Sequence, residues 1–199
     1  MKNTLLLQGS ILAAAGILTK LIGFLYRIPM ANLLGNQGNG VYSIAYGIYT
    51  VTLTLSSMSL PTAVSKVVSA RLARDEHRNA ARVLAIALVF ALLMGTFSFS
   101  LLYFCAHMLE GFYQTEGLWR PLRILAPTSF LFAFLGVMRG YTQGSGSMVP
   151  TAISQIVDQC FNAVISIVAA WALLNVYGAG DEAASWGAMG GTLGTLAGA

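Results

Sequence analysis

The sequence predicts an all-α fold, a polytopic transmembrane helical bundle, and three observations lead there. Only 9% of the 199 residues are charged while 56% are hydrophobic. A soluble domain carries about 25% charged residues, and this chain has too few to cover a wetted surface. The apolar residues are gathered in runs of about 20 or more, the length that crosses a bilayer as a helix. The cations collect in alternate loops, as they do around membrane spans.

Backbone groups in hydrocarbon must bond within their own segment, so each long apolar run reads as a helix. Five runs are complete, over residues 5–34, 41–65, 83–109, 121–141 and 149–176. A sixth, 183–199, sits at the short limit for a span and is expected to be incomplete. Lys2 followed by an apolar stretch and Ala13-Ala14-Ala15 has the outline of a cleaved leader. The stretch continues to Leu34, however, which favours an uncleaved first helix. Pro29 and Pro127 lie inside apolar runs, where proline frees a carbonyl and kinks a helix. Asn36-Gln37-Gly38-Asn39-Gly40 and Gly144-Ser145-Gly146-Ser147 read as turns. Neither follows a strand, so neither is a phosphate-binding loop. Gly187, Gly191, Gly194 and Gly198 form a small-residue face suited to close helix packing. Pro61-Thr62-Ala63-Val64-Ser65 resembles Pro150-Thr151-Ala152-Ile153-Ser154, but the two segments run in opposite membrane directions and are no true repeat.

Loop charges orient the bundle. Lys2, Lys66, Arg71, Arg74, Arg78, Arg82 and Arg139 fall at one set of helix ends. The opposite ends hold Arg120 and Arg123 together with Glu110, Glu116, Asp181 and Glu182. The positive-inside rule places the N-terminus in the cytoplasm of a multi-pass cell-membrane protein. Arg71, Arg74, Arg78 and Arg82 recur every three or four residues, so Ala70–Arg82 reads as a helix with a basic face. It is either an ordinary positive-inside loop helix or one that touches anionic headgroups.

Ionisable groups inside a span cost at least about 2.5 kcal/mol each and mark function or internal pairing. Lys20 lies near the middle of the first run and Arg27 is seven residues later on the same helix face. Two cations on one face without a carboxylate on that helix suggest an anionic guest, and arginine suits phosphate. The plainer reading has Lys20 paired with Asp158 and Arg27 reaching outward. In the fifth run Asp158 stands with Ser154, Gln155, Gln159 and Asn162 on one side of a helix. Such a stripe is either the wall of a hydrophilic cavity or interhelical glue. Cys105 and Cys160 lie in apolar runs and read as small buried hydrophobes. Two cysteines and two histidines give no metal-ligand spacing, no catalytic constellation is evident, and no cofactor is called for. Without a basic patch interleaved with aromatics, nucleic-acid binding is not expected.

Several strings resemble the stage V sporulation protein B family. They are Gln8-Gly9-Ser10, Leu21 through Pro29, Gly40-Val41-Tyr42 with Ala45-Tyr46, and Pro61 through Lys66. Leu125-Ala126-Pro127, Arg139 through Gly144 and Met148 through Gln155 continue the likeness along nearly the whole chain. The family sits among polysaccharide transporters, in the superfamily that also holds multidrug exporters and lipid II flippases. The resemblance implies the N-terminal six-helix lobe of a two-lobe flippase fold, with residues 1–199 lacking the second lobe. It implies alternating access by rocking lobes, membrane lipids as surroundings, and a lipid-linked sugar pyrophosphate as cargo. Aligned on Gly23-Phe24, Lys20 falls where the lipid II flippases carry an arginine, and Arg27 is displaced by one residue from their next. Their charges in and after the second helix have no clear match here.

The expected function is therefore translocation of a lipid-linked oligosaccharide or peptidoglycan precursor across the cytoplasmic membrane. Lys20, Arg27, Gln155, Asp158, Gln159 and Asn162 are the candidate substrate-binding residues. A cation-coupled multidrug exporter of the same fold and a non-transporting scaffold of a cell-wall synthesis complex are the alternatives.

The charge asymmetry has a direct test. With Cys105 and Cys160 replaced by alanine, a cysteine at Glu116 is expected to react with an impermeant thiol reagent in intact cells. A cysteine at His77 should react only after the membrane is opened. The reverse pattern would invert the orientation.

Overall fold

The computed structural model describes the backbone of residues 2–56, 59–178 and 182–199, and side chains over 8–54, 59–178 and 182–199. Among these residues there is no strand. The helices are α1 (Lys2–Ser56), α2 (Leu60–Leu72), α3 (His77–Phe104), α4 (Ala106–Tyr113), α5 (Trp119–Gly144), α6 (Val149–Tyr177) and α7 (Ala183–Gly198). Four of the described helices (α1, α3, α5 and α6) are long and apolar enough to cross a membrane.

α1 is two helical limbs meeting at Gly35, whose φ of 64° and ψ of −175° leave the helical region. A side chain there would be strained, which is why glycine occupies the joint. The limbs fold back side by side: Thr19 of the first and Leu53 of the second line one cavity. Tyr26 packs against the cluster that holds Tyr42. Asn39 ties the joint, its Nδ2 donating to the carbonyls of Ala31 and Gly35 at 2.8 Å each. The two runs expected at 5–34 and 41–65 are these limbs, and the turn expected over Asn36–Gly40 falls at Gly35 instead, with residues 36–40 already helical. At 1.5 Å per residue the second limb, 36–56, is about 31 Å long, enough for the hydrocarbon core.

The run 41–65 does not continue as one helix. α1 ends at Ser56, residues 57–58 lie outside those described, and α2 starts at Leu60 with Pro61 in its first turn. Proline lacks the N–H that a first turn leaves unpaired, so it opens a helix without loss. The run 83–109 is likewise divided, at Cys105, into α3 and α4. The basic helix expected over Ala70–Arg82 is interrupted as well. α2 stops at Leu72, Asp75 takes a φ of 56°, and α3 opens at His77. Glu76 holds this turn, accepting 2.9 Å hydrogen bonds from Arg71 Nη1 and Asn79 Nδ2.

α5 is the axis of the bundle. Leu122, Leu125, Ala126, Ala133 and Val137 on it are fully buried. They join two clusters, one with Met30, Tyr42, Tyr49 and Leu102, the other with Val64, Val68 and Ala91. Glycine lets neighbours come close: a Cβ at Gly140 would lie 2.6 Å from the carbonyl oxygen of Pro61, so α2 rests directly on the end of α5. α7 runs antiparallel to α6, and a Cβ at Gly194 would lie 2.0 Å from Ser166 Oγ. Gly198 of α7 packs against the backbone of Asp158 on α6.

The outer surface is apolar. Phe24, Ile86, Phe97, Phe161, Val164 and Trp171 are all more than half exposed, as suits side chains facing lipid. Cys160 is exposed on this surface and Cys105 is partly exposed, so neither is the buried hydrophobe expected from sequence. The helix ends alternate. The α1 start, α2, the α3 start and the α5–α6 turn share one end, while Gly35, α4, the α6 end and the α7 start share the other. The side chain of Lys2 and the whole of Asp181 lie outside the described residues.

Three outcomes follow from this packing. Gly194→Val is expected to lower the melting temperature in detergent, overpacking of this kind costing about 1–3 kcal/mol. Gly47→Ala, with open space around it, should leave that temperature unchanged or raise it. Hydrogen bonds from Asn79 and then Arg71 hold the Glu76 carboxyl below its usual range. A depressed carboxyl contributes stability above its unfolded value, and that contribution disappears as pH falls through its folded value. Glu76→Gln should mimic the acid form, exposing Arg71 and Arg74 to faster tryptic cleavage at neutral pH.

Candidate functional site

Polar residues inside this bundle converge on one cavity of about 300 Å³, walled by both limbs of α1 and by α5, α6 and α7. α6 supplies Gln155, Asp158, Gln159 and Asn162. Their spacing of three and four residues puts them on one helix face, turned from lipid toward the protein. α1 supplies Thr19, Tyr46, Tyr49 and Leu53, α5 supplies Phe132 and Arg139, and α7 supplies Thr195 and Gly198.

The charge at the centre is a pair. Arg139 Nη2 donates to the Asp158 carboxylate, and Arg139 Nε donates to Ser154 Oγ at 2.9 Å. The two side chains are 14% and 22% exposed, so the pair is largely withdrawn from solvent. Arg139 is the residue that sequence reasoning misassigned. Near the end of an apolar run it resembles a flanking cation, but in the fold it reaches across to α6 and lines the cavity. It also replaces Lys20 as the partner of Asp158. The only cue in the sequence is that Asp158 needs some cation, and no spacing rule names one nineteen positions away on another helix.

The amides surround the pair. Asn162 is buried, with Oδ1 2.9 Å from Ser166 Oγ, and that hydroxyl also lies 2.8 Å from the Gly191 carbonyl. Gln159 reaches the first limb of α1, where a Cβ on Gly23 would come within 3.0 Å of its Nε2. Tyr49 OH and Thr195 Oγ1 are buried and, among the described residues, without a hydrogen-bond partner.

Four of the six sequence-derived residues therefore meet in this cavity, and Lys20 and Arg27 do not line it. Both are exposed and, among the described residues, make no ion pair. On α1 they occupy the stripe beside Thr19, Gly23 and Tyr26, which face the protein, and opposite Leu18 and Leu25, which face outward. A second cavity of about 330 Å³ shares Leu53, Phe132, Arg139 and Gln155 with the first. It extends along α5 to Pro61 and Gln143.

The opposite end of the bundle carries a separate cluster. Arg120 pairs with Glu182 at 2.6 Å and lies over the rings of Trp119 and Trp186, the latter stacked on Tyr177. His107 Nδ1 is 3.4 Å from Glu110, a carboxylate partner that the sequence reading did not give it. Aromatic and charged side chains in such a ring suit the membrane–water interface. No group of three potential metal ligands gathers among the described residues.

Asp158→Ala should strand the Arg139 cation and lower the melting temperature. The effect falls below the about 3–5 kcal/mol of a fully buried pair because both groups are partly exposed. Adding Arg139→Met to that variant should restore part of the loss. No restoration would show that the two charges do not act on each other.

A family of known proteins shares this sequence. The model of the family described as "Polysaccharide biosynthesis protein" matches residues 5–197. Stage V sporulation protein B of Bacillus subtilis is 34% identical over 169 residues, covering 84% of this chain and 32% of the relative. The lipid II flippase MurJ of the same organism is 28% identical over 185 residues, 88% of this chain and 34% of the relative. The uncharacterized membrane protein YabM, also from that organism, is 29% identical over 191 residues, 94% of this chain and 35% of the relative. No solved structure gives a significant match. The chain spans about a third of the length of these curated relatives. An all-helical bundle matched from residue 5 to residue 197 leaves one assignment: this chain belongs to the polysaccharide biosynthesis protein family of multi-pass membrane proteins.

Proposed function

We propose that the chain forms the N-terminal lobe of a flippase that moves a lipid-linked oligosaccharide or peptidoglycan precursor across the cytoplasmic membrane. In this reading residues 1–199 work with a second lobe, and the two alternate in opening a central path. The N-terminus lies in the cytoplasm, and an ion gradient or the membrane potential drives the cycle. No bond in the cargo is made or broken, and no cofactor takes part.

The observation that carries the reading is a polar, charge-bearing interior within helices whose outer faces are apolar. A scaffold needs no such interior, since a charge inside a span is costly. Lys20 and Arg27 stand exposed on one α1 stripe next to that interior, with no carboxylate opposite them among the described residues. Facing a path between lobes they would bind a pyrophosphate, an interaction strengthened where water is sparse. The lipid tail stays in the bilayer along the apolar surface. The name of the relative lipid II flippase MurJ supports cargo of this class. A drug exporter moving organic cations would be poorly served by a face that holds only cations.

The test is transport in proteoliposomes containing the native protein, with a fluorescent lipid-linked sugar as cargo and an imposed potential or ion gradient. Movement of that cargo is expected. Failure at every potential and gradient would overturn the flippase reading, and movement of organic cations instead would favour the exporter. Lys20→Ala and Arg27→Ala should each slow transport about tenfold or more, since a charge-assisted hydrogen bond contributes about 1.5–3 kcal/mol. Expression should not change. Normal transport by both variants would remove these residues from the site.

A further inference from the structure

We infer that the cavity between α1, α5, α6 and α7 is a subsite for a single neutral sugar ring, separate from the α1 cations. The inference rests on the flippase reading only for where such a ring would come from. The chemistry of the site stands without it.

Charge decides the class of guest first. Arg139 and Asp158 neutralise each other, and every other residue lining the cavity is uncharged. The lining has no net charge, so neither a lone metal cation nor a lone phosphate gains a net attraction from it. The guest that fits is polar and uncharged.

Unfilled hydrogen-bonding capacity decides next. Tyr49 is 2% exposed and Thr195 is 5% exposed, yet among the described residues Tyr49 OH and Thr195 Oγ1 have no partner, and both residues line the cavity. A buried hydroxyl without a partner is destabilising, so native folds rarely leave one unless something else meets it. Gln155 and Gln159 add planar amides that can donate and accept at once. A ring bearing several hydroxyls supplies matching donors and acceptors on its edge.

Part of the lining is apolar. Phe132 and Leu53 line the cavity together with the α6 amides, offering a face to the C–H side of such a ring. At about 300 Å³ the space lies at the small end of ligand pockets, which run from about 300 to 1,000 Å³. One ring is accommodated and an oligosaccharide is not. The adjoining cavity, sharing Arg139 and Gln155, gives a way in from the C-terminal end of α5. Arg139 lines both spaces and is paired with Asp158 in the first.

The experiment is equilibrium dialysis of the native protein in detergent against radiolabelled N-acetylglucosamine, glucose and galactose. Saturable binding of at least one is expected. Gln155→Met and Gln159→Met keep side-chain length while removing hydrogen bonds, and each should weaken that binding about tenfold with the melting temperature unchanged. Where either variant fails to fold, Thr19→Leu serves instead, since it fills the cavity from the α1 side. No saturable binding of any of the three sugars means a space filled by water alone and overturns the proposal. Full affinity in every folded variant overturns it too, by placing the sugar elsewhere. Proteoliposome transport is scored separately. Binding without transport keeps the subsite and removes the flippase reading, while transport without binding does the reverse.

Discussion

Hydrocarbon on the outside leaves a protein one place to keep its charges, which is between its helices. That constraint organises this chain. Its lipid-facing stripes carry phenylalanine, leucine, isoleucine and valine, while the polar residues of α6 turn inward together. Once Asp158 is inside, something must neutralise it, and Arg139 does so from α5. The pair brings α5 and α6 into register near the cavity. The amides and hydroxyls around it follow from the same pressure, because each buried polar atom needs a partner.

Close packing supplies the second half of the design. Helices in lipid gain little from burying apolar surface against one another and associate through tight contact and interhelical hydrogen bonds. Small residues let α7 lie against α6, and Ser166 uses that closeness to reach the Gly191 carbonyl. Gly140 and Gly144 do the same for α2 on α5. These close approaches fix the spacing of the helices, and side chains of α1, α5, α6 and α7 then line the cavity.

Much of this was legible in the sequence. Apolar runs marked the spanning helices because a bilayer imposes a minimum length, and the α6 stripe stood out because polar residues at three- and four-residue spacing are rare in a span. Gln155, Asp158, Gln159 and Asn162 were found that way, and the cavity joins all four. What the sequence could not carry was pairing across helices. Arg139 looked like a flanking cation because its distance from the run's end was visible and its partner was not. Tyr49 and Thr195 gave no signal, since one tyrosine among several and one threonine near a glycine stripe have no period of their own. The reversal at Gly35 rather than within Asn36–Gly40 was hidden for a related reason. Three glycines stand close together there, and spacing does not say which of them takes the positive φ that turns the chain.

That turn has a consequence for how the protein enters the membrane. The two limbs of α1 meet at one residue and lie against each other, so they form a helical hairpin that can partition into lipid as a unit. The first limb carries Lys20 and Arg27, each costing about 2.5–3.5 kcal/mol if left at mid-bilayer on a lone helix. The second limb has no charged residue between Asn36 and Ser56. Insertion of the pair spreads the penalty of the first limb over the gain of the second, and Tyr26 of the first limb packs against the cluster that holds Tyr42 of the second. Gly35 therefore does more than reverse the chain: it lets a polar-bearing helix be carried into the bilayer by its neighbour.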